Sequence, residues 1–330
     1  MEVEIIKPGL LTTIQDNGRY RYRDIGVPSS GVMDQFAAAL ANILVANDDG
    51  APVLELMTAE VEILTLTDIV IAVTGPGIVF SADGLTLPGW KAVYVPSGIR
   101  LSFKPGLQGK CAYIAITGGW AAKAALGSTS TYLPQKLGGI HGDVLQKGDR
   151  IKNGSLSANS KLIYSKLKHS SINSFRWGIF HATLMDYSRR IIRVLEGHEK
   201  NWFDQAGQDL FYHGEFSIGS RSDRMGYTLE GGVVTLKEPR QLISTAVNMG
   251  TIQITGQGNP IILMADCQTT GGYPRIAQIA AIDLPVIAQM RQGDQLRFQV
   301  IDIRQAESLL LEHKKAVASI NKWINSKFSA

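Results

Sequence analysis

Between residues 53 and 118 the chain is a succession of short apolar runs, "VEILTLTD", "IVIAVTGPG", "IVFSADG", "KAVYVPSG", "IRLSFKPG" and "CAYIAITGG", nearly all closed by glycine or proline. Turn signals at this spacing, roughly every 8 to 12 residues, leave no room for ordinary helices and mark an all-β barrel or sandwich. The second half repeats the texture. "RIIRVLEG", "GGVVTLK", "RQLIST", "GTIQITG", "PIILMAD", "LPVIAQM" and "DQLRFQVIDI" read as further strands, with a short helix in "EKNWFDQAG". The fold class is therefore mainly β.

Helices are few. "MDQFAAALANILVAN" places Phe36, Leu40, Ile43 and Leu44 at helical spacing, with Asp34 positioned to accept an orphan backbone N–H as the N-cap. At the C-terminus, Ala306, Leu309, Leu310, His313, Val317, Ile320 and Ile324 share one face, which predicts an amphipathic helix packed on the second barrel. A chain of 330 residues exceeds what one core usually serves. The Ser-, Asn- and Lys-rich stretch before "NSFRW" supplies a break, giving domains at 1–155 and 175–330 with a junction at 156–174. "GVPSSGVMDQFAAAL" and "GSRSDRMGYTLEGG" share a weak likeness, compatible either with duplication or with chance among glycine-rich β sequences.

Charge excludes some functions. The 33 basic and 29 acidic residues leave a net charge of +4 without a like-charge block, so neither a nucleic acid nor a membrane surface is an expected partner. The acidic start "MEVEIIKPGLLTTIQ" and the lack of a long apolar span point to a cytoplasmic protein. Cys111 and Cys267 have no metal-ligand spacing, and the six histidines form no pair, so no metal site is expected. His141, in "GGIHGD", is the one histidine in a glycine-rich loop. The "TGPG" and "GG" turns at 74–77 and 118–119 lack the lysine and helix of a phosphate loop.

Three stretches carry chemistry. Residues 12–34 gather Asp16, Arg19, Arg21, Arg23, Asp24 and Asp34 around Gly26 and Gly31, either as solvated loop charges or as an anion site. Residues 219–232 set Asp223 beside Arg224 at one turn, which either binds an anion or braces the turn itself. In "DCQTTGGYPRIA", Asp266 emerges from a buried strand, and Gly271 and Gly272 let the chain fold back so that Thr269, Thr270 and Tyr273 face one pocket. A decorated turn and a pocket with an acid, an oxyanion hole and an aromatic cover both fit that stretch.

Together, "PGLLTTIQDNGRYRYRDIGVPSSGVMD", "LGSTSTY", "GSRSDRMGYTLEG" and "ILMADCQTTGGYPRIAQIAAIDLP" resemble, in order, the family called allophanate hydrolase subunit 2, also known as the KipA or biotin-dependent carboxyltransferase family. The resemblance implies two cyclophilin-like β-barrel domains with a few short helices. Family positions carry over to Asp16, Gly18, Arg19, Gly31, Met33, Asp34, Ser222, Asp223, Arg224, Met225, Asp266, Gln268, Thr269, Gly271, Gly272, Tyr273 and Asp283. The chain departs from the family pattern at Tyr22, Thr245 and Cys267, where Gly, Glu and Arg are common.

Most bacterial members of the family are the C subunit of an ATP-dependent 5-oxoprolinase, so the resemblance implies a hydrolase subunit inactive without its partners. Those partners are a KipI-like B subunit together with a LamB/YcsF-like A subunit, and the complex uses ATP and Mg²⁺. On that reading Asp266 and Asp223 are the expected catalytic carboxylates. Arg19, Asp34, Arg224, Gln268, Thr269, Gly271, Gly272 and Tyr273 are the expected substrate or anion contacts. The alternatives are a carboxyltransferase half-domain working with biotin on a separate protein, and a regulatory antagonist of a KipI-like kinase inhibitor.

Overall fold

A computed structural model describes residues 1–57, 60–106 and 108–328; the last two residues of the expected second domain lie outside this range. Contacts divide the chain into two compact units. The first comprises Met1–Arg19, Ser30–Met185 and Lys315–Ala330, and the second comprises Tyr20–Ser29 and Asp186–Lys314. The division interrupts the 12–34 stretch, because its middle belongs to the second unit. Among the described residues no helix is long and apolar enough to cross a membrane.

The first unit has two six-stranded sheets. One contains β1 (Glu2–Lys7), β4 (Val61–Thr65), β6 (Ile78–Ala82), β7 (Leu85–Leu87), β9 (Arg100–Pro105) and β11 (Arg150–Lys152). The other contains β2 (Leu11–Gln15), β3 (Val53–Met57), β5 (Ile69–Thr74), β8 (Ala92–Val95), β10 (Cys111–Ile116) and β12 (Asn173–Ser174). Their inward side chains, among them Val3, Ile63, Phe80 and Phe103 from the first sheet and Leu54, Ile71, Val93 and Ile114 from the second, form one core. Alternation at period two puts these residues on one face of each strand. The result is two sheets closed over one core, in keeping with the mainly β fold the resemblance implies.

Helix α1 (Gln35–Leu44) packs on β5 and β10, and Asp34 caps it by accepting the Ala37 amide at 2.9 Å, as its sequence predicts. The expected junction also folds. Helix α2 (Ala158–Leu167) is capped by Ser157 and buries Ile163 and Leu167, so residues 156–174 belong to the first unit rather than forming a linker.

The second unit is a closed seven-stranded barrel ordered β13 (Ile191–Glu196), β20 (Arg275–Ile279), β17 (Thr251–Ile254), β18 (Pro260–Leu263), β15 (Gly226–Glu230), β14 (Phe216–Ser222) and β21 (Gln295–Val300). Closure through the parallel β13–β21 pair leaves the barrel no open edge. Helix α3 (Gln205–His213) lies on β21, with Phe211 stacked 4.6 Å from Phe298. A two-stranded ribbon, β16 (Thr245–Ala246) and β19 (Thr270–Gly271), completes the unit.

Three strand expectations fail. "LPVIAQM" forms helix α4 (Leu284–Gln289), in which Pro285 occupies the first turn, where its missing N–H costs nothing. A short apolar run suits a buried helix as well as a buried strand, and periodicity does not separate them. "GGVVTLK" forms no strand, since Gly231 and Gly232 lie at φ +157° and +131°, outside the strand region. "RQLIST" contributes only Thr245 to a strand. The likeness between the halves also fails structurally: one stretch leads into helix α1 and the other forms the β14–β15 hairpin.

Helix α5 (Ile303–Ser326) buries Ile324 and half-buries the other residues of its expected apolar face, but from Lys315 onward it groups with the first unit, not the second barrel. There Trp323 meets Trp177 edge-on at 5.2 Å, and Phe328 lies 5.6 Å from Phe175.

Candidate functional site

In the first unit, the expected anion loop is a closed hydrogen-bond knot. Asp16 Oδ1 accepts from Gly18 N at 2.8 Å, Ser128 Oγ at 2.5 Å and Ser130 Oγ at 2.6 Å. Its Oδ2 accepts from Thr129 N at 2.6 Å and Thr129 Oγ1 at 2.9 Å. Burial pushes the Asp16 carboxyl up, but the bonds from Ser128, Ser130, Gly18 and Thr129 outweigh it and hold it below the ordinary value. Arg19 is buried beside this knot and donates to the carbonyls of Ala125 and Ser130. Asp34 is buried as the α1 cap, its own amide donating to the Tyr113 hydroxyl, which in turn donates to Glu55. These side chains brace "QDNGR" against "STST" and "GVMD" against β3 and β10.

The second unit brings together the other two stretches. Arg224 and Asp266, 5% and 4% exposed, form a two-pronged pair, Nε to Oδ2 at 2.7 Å and Nη2 to Oδ1 at 3.1 Å. The Asp266 amide donates back to the Arg224 carbonyl at 2.8 Å. This fork ties the β14–β15 turn to the end of β18. Asp223 is exposed, and its Oδ1 accepts the amides of Met225 and Gly226, which closes its own turn. Both expected catalytic carboxylates thus accept bonds from groups at these two turns.

Beyond Asp266 the chain makes a ribbon. Val247 N donates to Thr269 O at 3.0 Å, and Thr245 pairs with Gly271 in the β16–β19 ladder. Gln253, 1% exposed on β17, donates to the Tyr273 carbonyl at 2.9 Å. Arg275 grips Glu199 through Nε and Nη2, both at 2.7 Å, and donates to Ala246 O at 3.1 Å. Arg23, carried by the Tyr20–Ser29 segment, donates to Val247 O and to Ser29 Oγ.

On this braced backbone, the side-chain polar groups of Gln268, Thr269, Thr270 and Tyr273 make no hydrogen bond among the described residues. The Thr245 hydroxyl is buried without a partner in the same ribbon. The arrangement presents an amide and several hydroxyls, all neutral, while the arginines around them are engaged. Such groups suit the neutral amide part of a ligand, which carries both donor and acceptor atoms. Gly271 has a specific reason to be glycine: a Cβ there would lie 2.6 Å from Gln253 Nε2.

Among the described residues, no group of three or more His, Cys, Asp or Glu could hold a metal ion. His141 lies on the surface, its Nε2 3.5 Å from Asp149 Oδ1. Sequence reasoning missed Gln253, Glu199 and Arg275. For Gln253 a signal existed, because it is a polar residue between the core positions Ile252 and Ile254 of a short strand.

Cys267 packs with Val247 and Leu263. Burial pushes its thiol up to about 11, against the lowering effect of Arg23. The thiolate is the reactive form, so Cys267 should be inert near neutral pH. Ellman titration of native protein at pH 7.5 is expected to leave both buried cysteines unlabelled, and denaturation should expose them. Rapid native labelling of Cys267 would contradict that environment.

The chain matches the family described as the carboxyltransferase domain, subdomain A and B, over residues 25–300. It is 34% identical over 305 residues to the 5-oxoprolinase C subunit of Escherichia coli (strain K12), covering 92% of this chain and 93% of that one. To the Haemophilus influenzae protein of the same name it is 31% identical, covering 98% and 99% of the two chains. Among solved structures, the K. lactis urea amidolyase superposes with a TM-score of 0.86 at 27% identity, over 97% of this chain and 20% of the larger enzyme. A family match over residues 25–300, together with identities of 34% and 31% over nearly the whole chain, means that the chain belongs to the carboxyltransferase-domain family that includes the 5-oxoprolinase C subunit.

Proposed function

We propose that this protein is the C subunit of an ATP-dependent 5-oxoprolinase, working with a KipI-like B subunit together with a LamB/YcsF-like A subunit to open 5-oxoproline to L-glutamate. The carrying observation is the row of uncommitted neutral groups from Gln268 to Tyr273 on a rigidly braced turn. The lactam ring of 5-oxoproline offers one carbonyl acceptor and one N–H donor, and it is this ring, not the carboxylate, that the turn is matched to. The Gln268 carboxamide and the Thr269 and Thr270 hydroxyls can satisfy both, and the exposed Tyr273 ring covers the ligand. Full-length similarity to two proteins of that name supports the same reading.

The turn does not fit a triphosphate, because Arg224 and Arg275 are already forked onto Asp266 and Glu199. ATP and its Mg²⁺ therefore belong to the complex as a whole, and no step is assigned to them at this turn. A lactam is a poor electrophile, so activation of its oxygen must precede attack by water, and the turn's part is to orient the ring. We assign Asp266 and Asp223 to holding that geometry.

A carboxyltransferase role with biotin on another protein is the second reading, favoured by the family match and by the superposition on urea amidolyase. Reconstitution separates the two. With both partner proteins present, ATP hydrolysis is expected to depend on 5-oxoproline. Gln268→Ala and Thr269→Ala should each lower kcat/KM about tenfold, the effect of losing one hydrogen bond. No stimulation by 5-oxoproline, with carboxyl transfer from carboxybiotin instead, would replace this reading with the second.

A further inference from the structure

We infer that Gln253 is a positioning residue that sets the geometry of the Thr269–Tyr273 turn from inside the barrel wall; the inference rests on the reading of that turn as the substrate contact. In β17, strand alternation puts Gln253 on the opposite face from Ile252 and Ile254, and it is 1% exposed, with its carboxamide against the turn. Its carboxamide meets the turn at two places. Nε2 donates to the Tyr273 carbonyl at 2.9 Å, and the amide lies against Gly271, where even a methyl group would come within 2.6 Å of it. The register of β17 against β20 shifts between Ile252 and Gln253, and Gln253 then pairs with Arg275, the residue that holds Glu199 and the Ala246 carbonyl.

One buried amide thus touches the middle of the turn at Gly271 and its end at Tyr273, while Arg275 anchors the ribbon beyond. The hydroxyls of Thr269 and Thr270 sit just before this clamp. Their side chains make no bonds of their own, so the backbone that Gln253 fixes is what orients them. Gln253 needs no contact with substrate to do this.

The test uses the full chain, alone and reconstituted with its two partner proteins. In Gln253→Met, a near-isosteric change that removes the donor, amide hydrogen exchange in peptides spanning 268–274 is expected to quicken about tenfold, with β14–β15 peptides unchanged. KM for 5-oxoproline should rise about tenfold with a smaller change in kcat, as expected when binding geometry loosens. A merely structural role would instead reduce the fraction of active enzyme at constant KM. Gln253→Glu keeps the shape but turns the donor into an acceptor facing the Tyr273 carbonyl, and it should match the methionine variant. If Gln253→Met does not fold, Gly271→Ala displaces the same amide and is expected to give the same two effects. Unchanged turn exchange would overturn the inference alone. Faster exchange with unaltered KM and kcat would overturn the reading of the turn and the inference with it.

Discussion

Asp266→Ala is expected to destabilise the second unit by about 3–5 kcal/mol, the usual cost of removing one partner from a buried ion pair. The residue accepts both prongs of a guanidinium that is itself 5% exposed, so alanine strips Arg224 of its fork in a place where water does not replace it. Asp266→Asn keeps one acceptor and should cost about half as much. Urea denaturation followed by tryptophan fluorescence, with local exchange to assign the loss to the β14–β15 turn, measures both. A loss below about 1 kcal/mol for the alanine variant would put the pair among exposed ion pairs and contradict its burial. The same variants bear on mechanism. A general base is worth about 10²–10⁴ in rate. Since the Asp266 carboxylate is spent on Arg224, Asp266→Asn is expected to lower turnover no more than about tenfold.

Asp16→Ala should cost the first unit about 3 kcal/mol, because five donors converge on that carboxylate and bonds to a charged acceptor contribute about 1.5–3 kcal/mol each without adding fully. Its folded pKa is lowered, so the folded state favours the carboxylate. That stability is present in full above the unfolded pKa, about 4, and is lost as pH falls through the lower folded value. Wild-type protein should therefore lose stability below about pH 4 with a steeper slope than Asp16→Asn. Equal slopes in acid titrations of the two proteins would mean that Asp16 titrates as a free carboxyl and that the knot does not hold it.

Much of this architecture was legible because it is local. Apolar runs closed by regularly spaced glycine and proline turns located most strands, and Asp34 lay three residues before the amide it caps. Apolar runs without a clear period were not legible. "LPVIAQM" buries five of its six α4 positions, Pro285 to Gln289, and burial on every side erases the signal that separates helix from strand. The candidate site was legible as a stretch and not as a set of roles. "DCQTTGGYPRIA" stood out by its polar density. Which polar groups are spent and which are free depends on Arg224, 42 residues away along the chain, and on Gln253, 20 residues before Tyr273.

The same distinction holds for the chain as a whole. A mainly β chain in two parts, the cap of α1, the amphipathic face of α5 and the four ordered motifs of one family could all be read from local spacing. These depend on residues a few positions apart, where backbone geometry sets which side chains share a face or reach a neighbouring amide. Long-range pairing set two six-stranded sheets in the first unit and a closed seven-stranded barrel in the second. It also decided that residues 20–29 belong to the second unit, and that Asp16 is tied to residues 128–130. Those outcomes rest on pairings across long separations, where the chain chooses partners by burying apolar faces and satisfying buried polar atoms together.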